Sequence, residues 1–121
     1  MDDLKLGAIE QRFADIIWEN EPITSGELVK KCSDELGWKK STTYTVLKKL
    51  CERRIFTNNS GTVVSLISKS DFFALKSERF VSETFDGSLP AFIAAFTSRK
   101  ELTTDEIEQI KCMIDNYGKE K

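Results

Sequence analysis

The chain has 121 residues, a length that predicts one compact globular domain, or one with a small appendage. Of these residues 40% are hydrophobic and 31% are charged, which excludes a disordered chain. No apolar run approaches the ~20 residues of a membrane span, and the N-terminus lacks the form of a signal peptide, so we expect a cytoplasmic protein. The absence of histidine excludes His-dependent nucleophilic sites and His-ligated metal sites, and the three cysteines are too widely spaced for a disulfide framework. With no catalytic carboxylate pair or glycine-rich phosphate loop to point to, we expect no enzyme, no cofactor and no metal.

Positive charge is concentrated in one stretch of the chain. Residues 1–36 carry four basic and nine acidic side chains, a net charge of −5. Residues 37–61 carry six basic and one acidic, a net of +5, and residues 62–121 carry eight basic and ten acidic, a net of −2. Local patches, rather than net charge, steer proteins to phosphates, so the middle stretch is a candidate nucleic-acid surface. A solvated helix face is the alternative interpretation.

Two short helices are predicted at the start of the chain. Apolar side chains at helical spacing predict the first over residues 8–18. Thr24 and Glu27 form a capping-box pattern that opens the second, and Gly37 is the predicted stop.

A third helix is predicted over residues 42–53, with Ser41 as the candidate N-cap. One face of this helix is predicted to be buried, and it consists of Thr43, Val46, Leu47 and Leu50. The opposite face is predicted to be solvent-exposed, and it consists of Ser41, Thr45, Lys48, Lys49 and Glu52.

A β-hairpin is predicted next. The β-rich runs 55–57 and 62–67 are separated by the turn-forming residues 58–61. Three helices followed by a hairpin is the order of a winged helix-turn-helix, in which the third helix enters the major groove and the hairpin is the wing. The fold class is therefore mostly α with a small β-hairpin.

Three more helices are predicted beyond Ser70. The first covers residues 71–85 with Ser70 as the candidate N-cap, and the second covers residues 89–97. A second capping box, formed by Thr103 and Glu106, opens a last helix that ends near Gly118. We place the boundary between a DNA-binding domain, 1–69, and a three-helix dimerisation region, 70–121.

The aromatic side chains are unevenly distributed. Six of the eight phenylalanines lie after this boundary, and a segment of only ~50 residues buries too little of its own surface to cover them. Packing of these rings on the N-terminal domain is one explanation, but we favour a homodimer, which also suits a reader of palindromic DNA. The predicted dimer contacts are Phe73, Phe80, Phe92, Phe96, Ile107, Ile110 and Ile114.

Three stretches of the chain carry a resemblance to a known family. They are IEQRFADIIWENEPITSGELV, GWKKSTTYTVLKKLCERRIF and the pair FDGSLPAFIAAF and ELTTDEIEQI, which follow one another over almost the whole chain. In order and spacing they resemble the penicillinase-repressor family of winged-helix regulators. The resemblance implies a dimeric repressor that binds a pseudo-palindromic operator and is released by an inducing signal.

The resemblance also implies which residues contact DNA. Its recognition-helix positions correspond to Ser41, Thr42, Tyr44, Thr45 and Lys49, with Lys48 adjacent, and the charge count adds Lys39 and Lys40. Hydroxyls and lysines can meet base edges or phosphates. The family often has Arg at the position of Lys49, and the planar fork of Arg suits bidentate readout of guanine better than the Lys ammonium does. For Ser41, Thr42 and Thr45, helix capping or a plain surface role is the alternative.

Two branches of the family differ in how they are released. The copper-responsive branch ends in paired cysteines, and this chain has no cysteine after Cys112, so copper sensing is not expected; Cys32 and Cys51 are expected to be small buried hydrophobes. The antibiotic-resistance branch is released by cleavage between Asn and Phe in the fifth helix, which implies a sensor protease as a partner. The corresponding bond here joins Ala95 and Phe96, so the Phe is kept and the Asn is not, and we favour a different trigger.

Two classes of function remain open at this point. The first is a transcriptional repressor that binds operator DNA as a homodimer. The second is a winged-helix protein-interaction module that has lost DNA binding, a use that the fold permits. The +5 stretch favours the first.

Overall fold

The computed structural model describes residues 5–119 as a mostly helical chain with one small antiparallel sheet. This architecture confirms the predicted fold class. In chain order the elements are α1 (Ala8–Asn20), β1 (Ile23–Thr24), α2 (Ser25–Leu36), α3 (Lys40–Glu52), β2 (Phe56–Asn59), β3 (Thr62–Ser65), α4 (Lys69–Thr84), α5 (Leu89–Arg99) and α6 (Thr104–Asn116).

The chain divides into two compact units, Met1–Ser77 and Glu78–Lys121. The first unit encloses one hydrophobic core, to which α1 contributes four buried side chains. Phe72 of α4 is fully buried in this core and packs on Trp18 with ring centroids 5.4 Å apart. The core of the first unit therefore includes a residue beyond position 69. The division into a DNA-binding domain, 1–69, and a dimerisation region, 70–121, stays a prediction.

The helix starts follow local capping chemistry, with two corrections to the predictions. The α2 start is as predicted, because the Thr24 Oγ1 accepts the Glu27 N–H at 3.1 Å. Ser41 is not the N-cap of α3, since the helix already begins at Lys40 and Lys39 occupies the cap position without a side-chain bond. Ser70 is not the N-cap of α4 either. The cap is Ser68, two residues earlier, whose Oγ accepts the Asp71 N–H at 3.1 Å.

The sheet has three strands in the order β1-β3-β2. The predicted hairpin is present, but its turn is shorter than predicted, since Asn58 and Asn59 belong to β2 and Asn59 pairs with Thr62. The two turn residues, Ser60 and Gly61, have φ of 53° and 94°, as the type I′ turns of two-residue hairpins require. The third strand, β1, was not predicted, because two residues carry no periodic pattern.

The second unit consists of the end of α4 together with α5 and α6. The Ser88 Oγ accepts the Ala91 N–H at the start of α5, and the predicted capping box of Thr103 and Glu106 opens α6. Phe92 makes edge-on contacts with the rings of Phe80 and Phe85, with centroids 6.0 and 5.6 Å apart. Despite these contacts, neither α5 nor α6 has a buried side chain.

Candidate nucleic-acid interface

The turn between α2 and α3 is fixed by backbone hydrogen bonds. Gly37 adopts the left-handed conformation with φ of 68°, and its N–H donates to the Ser33 carbonyl at 3.1 Å. The next N–H, that of Trp38, donates to the Cys32 carbonyl at 3.2 Å, and the Trp38 ring stacks on Phe13. A glycine suits this position because a Cβ would be strained there. The chain thus ends α2 sharply and starts α3 three residues later.

One face of α3 is anchored in the core. Thr43, Leu47 and Leu50 are buried, as the sequence predicted, and Val46 is half-buried. The Thr43 hydroxyl donates to the Lys39 carbonyl at 3.3 Å, which satisfies a polar group that burial would otherwise penalise. The remaining side chains of α3 are therefore held in a defined orientation.

The eight residues predicted to contact DNA are all exposed; seven of them lie on α3, and Lys39 is its N-cap. They are Lys39, Lys40, Ser41, Thr42, Tyr44, Thr45, Lys48 and Lys49. The Thr45 hydroxyl donates to the Ser41 carbonyl at 2.9 Å, so its proton is used within the helix and its lone pairs remain free to accept. The Ser41 side chain does not cap the helix and is exposed to solvent.

Lys49 is the exception within this set, because it is paired with an acidic residue. The Lys49 Nζ lies 2.9 Å from the Glu10 Oε2, at the start of α1. The hydrogen bond from Lys49 holds the pKa of the Glu10 carboxyl below its usual value, aided by the Gly7 N–H and opposed by partial burial. Glu10 entered the sequence analysis only as part of a family-like stretch, since no local pattern joins residues 39 positions apart.

The end of α3 makes a second contact with the N-terminal segment. The Arg53 guanidinium donates to the Lys5 carbonyl at 2.9 Å. Arg54 follows in the left-handed region with φ of 62° and an exposed side chain. These contacts place basic groups of α3 beside the start of α1, an arrangement that the sequence analysis did not predict.

The wing is attached to the helices at both ends of its hairpin. At its tip the Ser25 N–H, at the start of α2, donates to the Gly61 carbonyl at 2.8 Å. At its base the Ser65 N–H and hydroxyl both donate to the Glu21 Oε1, at 2.8 and 2.7 Å. Because the tip is bonded to α2, the exposed residues 58–60 have a fixed position relative to the helix-turn-helix.

The cysteines of the first unit are structural. Cys32 is fully buried, as predicted, and burial raises the pKa of its thiol to about 11. Cys51 is half-buried against the core, and burial raises its pKa as well. A raised pKa keeps both thiols protonated near neutral pH and therefore unreactive. Within residues 5–119 there is no group of three or more side chains suited to a metal ion, and no helix long and apolar enough to cross a bilayer.

The predicted dimer contacts and the candidate cleavage bond lie in α4, α5 and α6. The half-exposed Phe73 belongs to the first unit, and the remaining six residues to the second: Phe80, Phe92, Phe96, Ile107, Ile110 and Ile114. Five of those six are exposed in the single chain, and Phe92 is half-buried. The Ala95–Phe96 bond lies inside α5, where the Ser98 hydroxyl donates to the Ala95 carbonyl at 2.7 Å.

Comparison with known proteins agrees with this geometry. A family model described as penicillinase repressor matches residues 6–116. The penicillinase repressor of Bacillus licheniformis is 23% identical over 110 residues, which cover 88% of this chain and 86% of the relative. The methicillin resistance regulatory protein MecI of Staphylococcus aureus strain Mu50 is 19% identical over 115 residues, which cover 92% of this chain and 94% of the relative. With a winged helix-turn-helix and a family match over nearly its full length, the chain belongs to the penicillinase repressor family of DNA-binding transcription regulators.

Proposed function

We propose that two copies of this chain bind a pseudo-palindromic operator and repress transcription until an inducing signal releases them. Each copy places α3 in the major groove and the hairpin wing near the sugar-phosphate backbone. The observation that carries the proposal is the exposed polar and basic face of α3, whose opposite face is locked into the core. A recognition helix needs both properties, since base readout depends on a fixed helix orientation.

The composition of this face argues against the alternative, a protein-interaction module without DNA binding. An interaction helix presents large apolar side chains, whereas Tyr44, 37% exposed, is the largest apolar group on the exposed face of α3. Lysines and hydroxyls make up the rest of the predicted contact set. Lys39, Lys40 and Lys48 suit phosphates or groove edges, and Ser41, Thr42 and Thr45 suit base edges.

The proposed dimer is supported by the apolar surface of the second unit. Leu89, Ile107, Ile110, Met113 and Ile114 are between 37% and 70% exposed in the single chain. Side chains of this size are rarely left in contiguous exposed groups unless a partner covers them. Specific binding to a pseudo-palindromic operator would require the two α3 helices of the dimer to lie about one helical turn of DNA apart, roughly 34–36 Å.

Salt-dependent DNA binding tests the proposed interface. Lys48→Ala removes an exposed cation from the middle of α3, and we expect weaker operator binding with a salt slope lower by about one. Lys100→Ala, at the end of α5, removes the same charge outside the interface and should leave the slope unchanged. The operator is first obtained by selection from a random DNA pool. Equal slopes for both variants would contradict the placement of α3.

We further propose that release uses a trigger other than proteolysis. The antibiotic-resistance branch is cut after an Asn, and this chain has Ala95 at that position, which favours another trigger. Cleavage of the helical Ala95–Phe96 bond would in any case require α5 to unfold locally. Co-expression with a sensor protease from the same gene neighbourhood, followed by sequencing of fragments, tests this. An intact repressor released by a ligand would support the proposal, and a cut at Phe96 would refute it.

A further inference from the structure

The Glu10–Lys49 pair is the one place in the described structure where an acidic side chain forms an ion pair with the recognition helix. The two charged groups are 2.9 Å apart, and the side chains are 21% and 53% exposed, respectively. Lys49 is therefore accessible from solvent, but its charge is already engaged. Any phosphate that approaches Lys49 must compete with a carboxylate in contact with it.

The carboxylate of Glu10 is held in place from its other side. The Gly7 N–H donates to the Glu10 Oε1 at 3.2 Å, which leaves the Oε2 directed at Lys49. Glu10 also lies in the first turn of α1, where the helix dipole favours a negative charge. Since the pKa of Glu10 is lowered further by Lys49, this group carries its full charge at neutral pH.

We propose that Glu10 is a specificity-determining residue, which holds Lys49 away from phosphates and so weakens binding to DNA that lacks an operator. The inference rests on the proposed function. Non-specific binding comes almost entirely from phosphate neutralisation, and a protein on random DNA can shift until a released Lys49 meets a phosphate, so withholding this cation removes a phosphate contact there. In the operator complex the contacts of Ser41, Thr42 and Thr45 with base edges fix the position of α3, so a released Lys49 has fewer phosphates within reach and operator affinity changes by a smaller factor.

The experiment replaces Glu10→Gln in the full chain. Glutamine has nearly the same shape and can still accept the Gly7 N–H, but it releases Lys49 from its ion pair. We expect affinity for a short duplex of random sequence to rise about threefold to tenfold near 0.1 M salt, with a salt slope larger by about one. Affinity for the selected operator should rise less, so the ratio of operator to random-sequence affinity falls.

Two controls separate the ion pair from a general charge effect. Glu19→Gln removes the same charge at the other end of α1 and should leave the affinity ratio unchanged. In a Lys49→Met background, Glu10→Gln should have little effect, because the cation that it would release is absent.

The outcomes distinguish this inference from the proposed function. The role of Glu10 would be overturned if Glu10→Gln left the ratio of operator to random-sequence affinity unchanged or weakened binding of both duplexes. It would also be overturned if Glu10→Gln raised the affinity for random duplex equally in the Lys49→Met background. Each of these results would leave the proposed function standing. A wild-type chain that selects no operator and binds random duplex without salt dependence would overturn the proposed function, and this inference with it.

Discussion

Helices α1 and α6 each have 13 residues and an apolar stripe, yet α1 buries four side chains and α6 buries none. The stripe of α1 lies in a core that α2, α3 and the sheet also line. The stripe of α6, which includes Ile107, Ile110 and Ile114, stays exposed within the described residues. Amphipathic spacing therefore predicts a helix and its apolar face, but not which surface covers that face. The first unit covers its own apolar stripe, whereas the stripe of α6 is exposed in the single chain, and we propose that a second copy covers it.

The largest effect expected from this contrast concerns two adjacent phenylalanines of α4. Phe72 is fully buried, whereas Phe73 is 38% exposed. Phe72→Ala should lower the free energy of unfolding by about 3–5 kcal/mol, because it leaves a cavity beside Trp18. Phe73→Ala should cost clearly less. Urea unfolding followed by tryptophan fluorescence measures both, and equal losses would contradict the distinct burial of the two rings.

The second effect tests whether a second copy of the chain covers α6. Ile110→Glu combined with Ile114→Glu places charge on its exposed apolar stripe. We expect a monomer that loses about a hundredfold or more in operator affinity, since the two recognition helices no longer act as one linked ligand. Sedimentation and DNA binding measure the two quantities. Gln109→Glu, on another side of α6, serves as the matched control, and a double variant that remained dimeric would place the dimer contact elsewhere.

The smallest effect compares the two capping boxes. Thr24→Ala should lower the stability of the first unit by about 0.5–2 kcal/mol, and this loss should not depend on protein concentration. Thr103→Ala weakens the start of α6, so its effect on the melting temperature should change with protein concentration, as for any step coupled to association. Thermal melts at several concentrations provide the measurement. Concentration-independent shifts for both variants would mean that α6 folds without a partner.

Much of the interface could be predicted because its signals are local. The capping box at Thr24, the stop at Gly37 and the buried face of α3 depend on side chains within a few positions of one another. The start of α3 was mispredicted because Ser41 has the chemistry of a cap, whereas the tight turn after Gly37 lets the helix begin at Lys40 without one. Ser70 was mispredicted because Ser68, two residues earlier, has the same side-chain chemistry and is the residue that caps α4.

The helices, the hairpin, the basic stretch and the family-like motifs could be recognised from residue types alone, because each depends on side chains at short spacing. The contacts between distant segments follow from packing instead: β1 pairs with β3, Phe72 completes the first core, and Glu10 forms an ion pair with Lys49. These contacts join residues more than 35 positions apart, and their formation depends on how whole elements pack rather than on any local pattern. A charge count therefore pointed to the helix that we propose faces DNA, while packing determined which of its lysines is already paired.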